Sequence, residues 1–145
     1  KLFNIWASVP RFALEESGRL LELVGMGDYA ERSCGELAYG DLKRLELAIA
    51  LANQPRLLLM DEPTAGMAAR ERIELMQLTV RIAHEKSIGV LFTEHDMDVV
   101  FGYADRILVL NRGTLIAQGS PEEIRCNSEV RAVYLGEERE SASIK

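Results

Sequence analysis

Two adjacent carboxylates, Asp61 and Glu62, follow four large apolar residues, Leu57-Leu58-Leu59-Met60, and precede Pro63. The run is short, with Gln54-Pro55 before it and Thr64-Ala65-Gly66 after it. That pattern predicts a fully buried strand, central and parallel in its sheet. Side chains alternate along a strand, so Asp61 and Glu62 are expected to point different ways at its C-terminal end. Ligand sites of open α/β sheets lie at that end. Two acids there are costly to desolvate unless a cation or a reacting group uses them. One can hold a metal and the other can act on water. The plainer reading is a strand that ends in polar residues because it has reached the surface. A second apolar run, Ile88-Gly89-Val90-Leu91-Phe92-Thr93, ends in Glu94-His95-Asp96. Taken alone, a histidine after a buried strand is more often a surface residue than a functional one.

The elements that must position these residues can be read from periodicity. Leu14, Leu20, Leu21 and Val24 recur at helical spacing after Pro10, and Gly25 is a helix stop. One further turn is expected over 28–32, so residues 1–36 read as all-helical, with Phe3 and Trp6 available for packing. Residues 35–41 (Gly-Glu-Leu-Ala-Tyr-Gly-Asp) read as a glycine-flanked loop. A helix follows over 41–53, with Leu42, Leu45, Ala48, Ile49 and Ala52 as its apolar stripe. After the strand at 57–61, a helix near 68–86 is predicted to turn Ile73, Met76, Val80 and Ala83 inward. The buried strand at 88–93 and a short helix at about 96–103 come next. Strands at 106–110 and 114–118 flank Asn111-Arg112-Gly113 as a hairpin. Pro121-Glu122-Glu123 opens a helix, proline first and acids in its first turn. A last helix runs from 128 to about 135, and the tail beyond is polar. Alternating strands and helices over 57–110 make the chain α/β with parallel strands, and 1–53 reads as a separate helical lobe.

The chain has 145 residues, 48% hydrophobic and 28% charged, and a net charge of −6. That suits one globular domain or a piece of one. The negative charge argues against a general nucleic-acid binder, and the helix at 41–53 balances Lys43 and Arg44 with Asp41 and Glu46. Cys34 and Cys126 match no metal or redox spacing and are expected to be reduced, in a cytosolic setting. No apolar run approaches the ~20 residues of a membrane helix. The first residues resemble no signal peptide. The chain begins with Lys, so it is expected to be part of a longer product.

The order of these features resembles the ATP-binding cassette (ABC) ATPases. Leu37-Ala38-Tyr39-Gly40-Asp41 stands one helix before the Asp61-Glu62 strand, and a strand leading to His95 follows. That is the family's succession of signature loop, Walker B, D-loop and switch histidine, and it covers 14–137. Leu-Ala-Tyr-Gly, Thr-Glu-His-Asp-Met, Tyr-Ala-Asp-Arg-Ile and Val-Tyr-Leu-Gly-Glu resemble the LivG-type ATP-binding proteins of branched-chain or related amino-acid importers. The resemblance implies a partial P-loop NTPase fold, with a helical signature subdomain at 1–53, the C-terminal part of a RecA-like core at 54–137 and a flexible tail at 138–145. It implies ATP and Mg²⁺ as ligands. Asp61 would hold the metal, Glu62 would polarise the attacking water, and His95 would contact the γ-phosphate. Leu37, Ala38, Tyr39, Gly40 and Asp41 would serve, through backbone N–H groups at a helix start, the ATP held by a second cassette. The implied partners are that second cassette and membrane-spanning permease subunits, at the cytoplasmic face of the inner membrane as a peripheral protein, with no nucleic acid.

Several positions depart from the family pattern. Ala38 replaces the common serine and Asp41 the usual glutamine of the signature, Ala68 and Ala69 replace an aspartate and a proline after the D-loop, and Ile49 replaces an arginine. No Gly-x-x-x-x-Gly-Lys followed by Ser or Thr occurs, so no backbone cradle or lysine for the β- and γ-phosphates is encoded. The chain is therefore expected to be the C-terminal part of a cassette, inefficient at hydrolysis by itself and prone to self-association through bare strand edges. The alternatives are a lipopolysaccharide-export cassette and a truncated cassette acting as a non-catalytic interaction module.

Overall fold

The computed structural model describes the backbone of residues 11–135 and the side chains of 12–134. The apolar start at 1–9 and the tail at 138–145 lie outside the described residues. The chain divides into two compact units between Glu94 and His95, so the expected lobe boundary at 53/54 falls inside the first unit.

In the first unit, helix α1 (Arg11–Leu23) ends where Gly25 takes φ +75°. There Met26 N–H reaches Leu21 O at 2.7 Å and Gly25 N–H reaches Glu22 O at 3.0 Å. This pair of hydrogen bonds satisfies the Leu21 and Glu22 carbonyls and needs a left-handed residue, hence glycine. A 3-10 turn at Gly27–Tyr29 takes the place of the turn expected over 28–32, and a second covers Cys34–Glu36. Helix α2 spans Tyr39–Leu51. Residues 39–41, expected in a loop, therefore form its first turn, because Ala38 is already extended at the N-cap and Leu42 N–H bonds its carbonyl at 3.0 Å.

Strand β1 (Leu57–Asp61), helix α3 (Ala69–Lys86) and strand β2 (Gly89–Thr93) complete the unit. The strands pair in parallel, Leu57 beside Gly89 through Asp61 beside Thr93. The expected parallel pairing is therefore present. The expected full burial is not. Leu57, Leu59 and Leu91 are 54%, 71% and 51% exposed, and of β1 only Leu58 is buried. The physical reason is that this sheet has two strands among the described residues, and only one of its faces carries helices. Leu58 and Val90 join Val24, Met26, Leu47, Ala48, Leu51, Leu78 and Ile82 in one core, with α1 and α2 contributing directly.

Two helical stripes are rotated from expectation. In α2 the buried residues are Gly40, Leu47, Ala48 and Leu51; of the expected stripe Ala48 is buried and Leu45 packs on the core, while Ile49 is 63% exposed and Ala52 is exposed. In α3 they are Leu75, Met76, Leu78, Thr79 and Ile82, while Ile73 is exposed and Val80 and Ala83 are half-buried. Arg44 joins the two helices by an ion pair to Glu74 at 3.1 Å, and Arg70 bonds the same carboxylate at 2.8 Å. The hydrogen bond from Arg70, with the positive charges of Arg70 and Arg44, holds the Glu74 carboxyl below its ordinary pKa.

The second unit holds helix α4 (Met97–Tyr103), strands β3 (Ile107–Asn111) and β4 (Thr114–Gly119), helix α5 (Pro121–Cys126) and helix α6 (Ser128–Val130), which widens into a π-turn over Arg131–Leu135. The strands form the expected antiparallel hairpin, with Arg112 and Gly113 both at positive φ in its turn. Ile107, Ile124 and Val130 make its core, with Phe101 and Val109 packed on them. Ser120 caps α5 and Glu123 returns a bond to the Ser120 N–H at 2.7 Å. No helix among the described residues is long and apolar enough to cross a membrane.

Candidate active site

The two acids stand at the C-terminal end of β1, and the end of β2 holds them. Asp61 and Thr93 are register partners, so their side chains leave the same face. The Thr93 hydroxyl donates to Asp61 Oδ1. Glu62 N–H lies 3.1 Å from Thr93 O and 3.2 Å from Thr93 Oγ1. Strand geometry stops at Asp61: Glu62 has φ +44°, a left-handed conformation that glutamate seldom takes. The direction of Glu62 is thus set by this backbone turn, and the expected strand alternation does not govern it.

The turn continues through Pro63 and Thr64, both buried, to Gly66 at φ +75°. Ala65 N–H bonds Glu62 O at 3.1 Å and Met67 N–H bonds Thr64 O at 3.2 Å. Thr64 is only 2% exposed, and its N–H and hydroxyl both donate to Glu94 Oε1, at 2.9 and 2.6 Å. Thr64, Thr93 and Glu94 were not among the residues singled out from the sequence. Aligning the ends of the two apolar runs as neighbouring strands is the signal that finds Thr93.

The segment 37–41 belongs to the same unit. Leu37 packs its side chain on the core. Ala38 has no side-chain oxygen to cap α2, so no side chain takes up its first N–H groups as a cap. Those of Tyr39, Gly40 and Asp41 form the positive end of the helix, although the Asp41 carboxylate lies in the same turn. The Tyr39 hydroxyl donates to Ala65 O at 3.3 Å, tying this helix start to the turn after Glu62. Lys43 lies over the Tyr39 ring at 5.6 Å, and its hydrogen bond to Glu46 leads the causes that raise its pKa. A Cβ on Gly40 would come within 3.2 Å of Glu71 Oε1, and Glu71 in turn accepts the Ala68 N–H at 3.1 Å. His95 opens the second unit, exposed, one residue before Asp96, whose carboxylate caps α4 through Asp98 and Val99 N–H.

The donor set fits a magnesium ion. Among the described residues no group of three or more potential ligands gathers in a cage. Mg²⁺ does not need one, since it is commonly held by one or two carboxylates with water and substrate phosphates. Asp61 is exposed and only one of its oxygens is engaged by Thr93, so acceptor capacity remains.

A parallel strand ending at Asp61, a second acid beside it, a glycine-bearing turn and a helix start tied to that turn agree with the P-loop NTPase fold of ATP-binding cassettes. Solved cassettes share it. The ADP form of MJ1267, described as an ATP-binding cassette of an ABC transporter, superposes with a TM-score of 0.82 at 27% identity, over 93% of this chain and 54% of that one. CbiO1 of Clostridium perfringens superposes with a TM-score of 0.75 at 31% identity, over 90% and 53%. The family described as "ABC transporter" matches residues 13–65, and that described as "Branched-chain amino acid ATP-binding cassette transporter" matches 114–140. The chain belongs to the ABC transporter ATP-binding proteins. Its homologues include the high-affinity branched-chain amino acid transport ATP-binding protein LivG of Salmonella typhimurium, 44% identical over 125 residues, covering 86% of this chain and 49% of LivG. BraF of Pseudomonas aeruginosa is 42% identical over 127 residues, 88% of this chain and 50% of BraF. The chain spans about half the length of these curated relatives.

Proposed function

We propose that this chain is the C-terminal part of the ATP-hydrolysing subunit of an ABC importer for branched-chain or related amino acids. In this reading 1–53 is the helical signature subdomain and 54–137 the C-terminal part of the ATPase core. The observation that carries it is the acid pair at the end of a parallel strand, with Asp61 and Glu62 both bonded to Thr93. LivG and BraF, at 44% and 42% identity, are branched-chain amino acid transport proteins, which favours this substrate class over a lipopolysaccharide-export role.

Asp61 would hold Mg²⁺, which when bound neutralises charge on the phosphate oxygens. Glu62 accepts the proton of the water that attacks the γ-phosphorus, and its pinned backbone keeps the carboxylate aimed. His95 donates to the γ-phosphate as charge develops there. The N–H groups of Tyr39, Gly40 and Asp41, with Ala38 and Leu37 setting the approach, receive the phosphates of ATP on a second cassette. Permease subunits bind the helical lobe from the cytoplasmic side of the membrane, and the subunit stays peripheral.

The test uses the whole protein of which this chain is proposed to be part. Glu62→Gln keeps ATP binding, traps a closed dimer and lowers turnover by ~100-fold or more. Turnover at the wild-type rate in that variant refutes the general-base role. The chain alone, which encodes no phosphate-loop lysine, hydrolyses ATP no faster than its own Glu62→Gln form.

A further inference from the structure

We propose that Glu94 is a positioning residue for Glu62, acting by latching the turn that carries it. The proposal rests on the hydrolase reading above and adds to it a residue that touches neither water nor phosphate.

The turn from Glu62 to Thr64 is pinned on both sides by the end of β2. Behind, Glu62 N–H is held by the carbonyl and hydroxyl of Thr93. Ahead, the N–H and hydroxyl of Thr64 are both held by one oxygen of Glu94. Between the two anchors lies Pro63, whose ring fixes φ near −65°. Glu62 itself sits in the left-handed region at φ +44°, a conformation that costs ~1–2 kcal/mol for a residue with a Cβ. A segment under that strain relaxes unless its neighbours over-determine it.

The Glu94 latch is suited to that task. Thr64 is 2% exposed, so water cannot replace a lost acceptor for its N–H and hydroxyl. A carboxylate accepting both makes charge-assisted bonds, shorter and stronger than neutral ones. Both bonds fall on the one oxygen Oε1, so the carboxylate clamps the Thr64 backbone and side chain at a single point. The latch also fixes where Ala65 O stands, and that carbonyl receives the Tyr39 hydroxyl. Glu94 therefore sets the aim of Glu62 and the tie to the α2 start together.

The test combines kinetics on the whole protein with amide exchange on this chain. Glu94→Ala and Thr64→Val each lower kcat about tenfold with the KM for ATP nearly unchanged, because aim is lost and binding is not. The double variant is no slower than Glu94→Ala alone, since the hydroxyl bond that Thr64→Val removes is one of the two that Glu94→Ala already removes. Thr64→Ser, which keeps both donors, restores most of the rate, and Glu94→Gln, which keeps an acceptor without the charge, falls between. In the chain itself the Thr64 amide exchanges slowly and becomes at least ~10-fold faster in Glu94→Ala. Wild-type kcat in Glu94→Ala, multiplicative losses in the double variant, a loss confined to KM, or an unprotected Thr64 amide overturns the proposal. If the wild-type whole protein does not hydrolyse ATP, or Glu62→Gln leaves its rate intact, the hydrolase reading falls, and the Thr64 amide alone decides whether the latch exists.

Discussion

The Thr93 hydroxyl sits between the backbone of one acid and the carboxylate of the other: it accepts from Glu62 N–H and donates to Asp61 Oδ1. Thr93→Val keeps the shape and removes both bonds, while Glu62 N–H retains Thr93 O as acceptor. The variant is expected to destabilise the chain by ~0.5–1.5 kcal/mol, the net worth of an ordinary hydrogen bond, read as a lowered urea midpoint with an unchanged slope. In the whole protein it should raise the Mg²⁺ concentration for half-maximal hydrolysis, because the Asp61 rotamer is no longer fixed. Thr93→Ser should restore both properties. Asp61 and Glu62 were legible in the sequence because two consecutive acids after four apolar residues is an unusual local pattern. Thr64, Thr93 and Glu94 were not, because their bonds span about thirty positions along the chain and exist only through the parallel register. The left-handed turn at Glu62 was equally hidden, since nothing in a glutamate signals positive φ.

Elements were read well where a stop signal or a short apolar run marks them. The strands at 57–61 and 89–93, the Gly25 stop, the hairpin around Gly113 and the proline-led helix at 121 are all present. Helix faces were read less well, and α3 shows why. It carries Ile73, Met76, Val80 and Ala83 at helical spacing and also Leu75, Leu78 and Ile82 at helical spacing. Two overlapping stripes satisfy the same periodicity, and only the position of the sheet chooses between them. The choice is measurable. Ile82→Ala empties a site that is 0% exposed and is expected to cost ~2–5 kcal/mol. Ile73→Ala, at 49% exposure, should stay within about 0.5 kcal/mol in this chain. Equal losses in chemical denaturation would mean that α3 is turned from the orientation described. Glu74 adds a pH dependence to the α2–α3 contact. Its lowered pKa gives a stabilisation that is fully present above about pH 4.3 and fades as pH falls through the depressed value. The leading partner, Arg70, lies on α3 itself and is 90% exposed, while Arg44 of α2 adds least, so this contribution to the contact is small.

At the scale of the molecule, the first unit leaves a sheet face open. Leu57 and Leu91 are about half exposed and Leu59 more so, and they lie together because parallel register puts Leu57, Leu59 and Leu91 on the face that carries Asp61 and Thr93. Among the described residues β1 and β2 pair only with each other, so each also presents an edge. A two-stranded sheet with an open apolar face is the arrangement that recruits another surface. A second copy of the chain is an available cover for this face. The chain is therefore expected to sediment as dimers or larger species at tens of micromolar, the range in which exposed apolar surface and strand edges drive association. Leu59→Lys places a charge at the centre of the face without touching the core, since Leu59 is 71% exposed, and should shift the distribution to monomer. A monodisperse wild-type monomer under those conditions rules out association through this face. Association that persists unchanged in Leu59→Lys assigns it to the strand edges instead, where main-chain bonds are indifferent to a side chain pointing off the sheet.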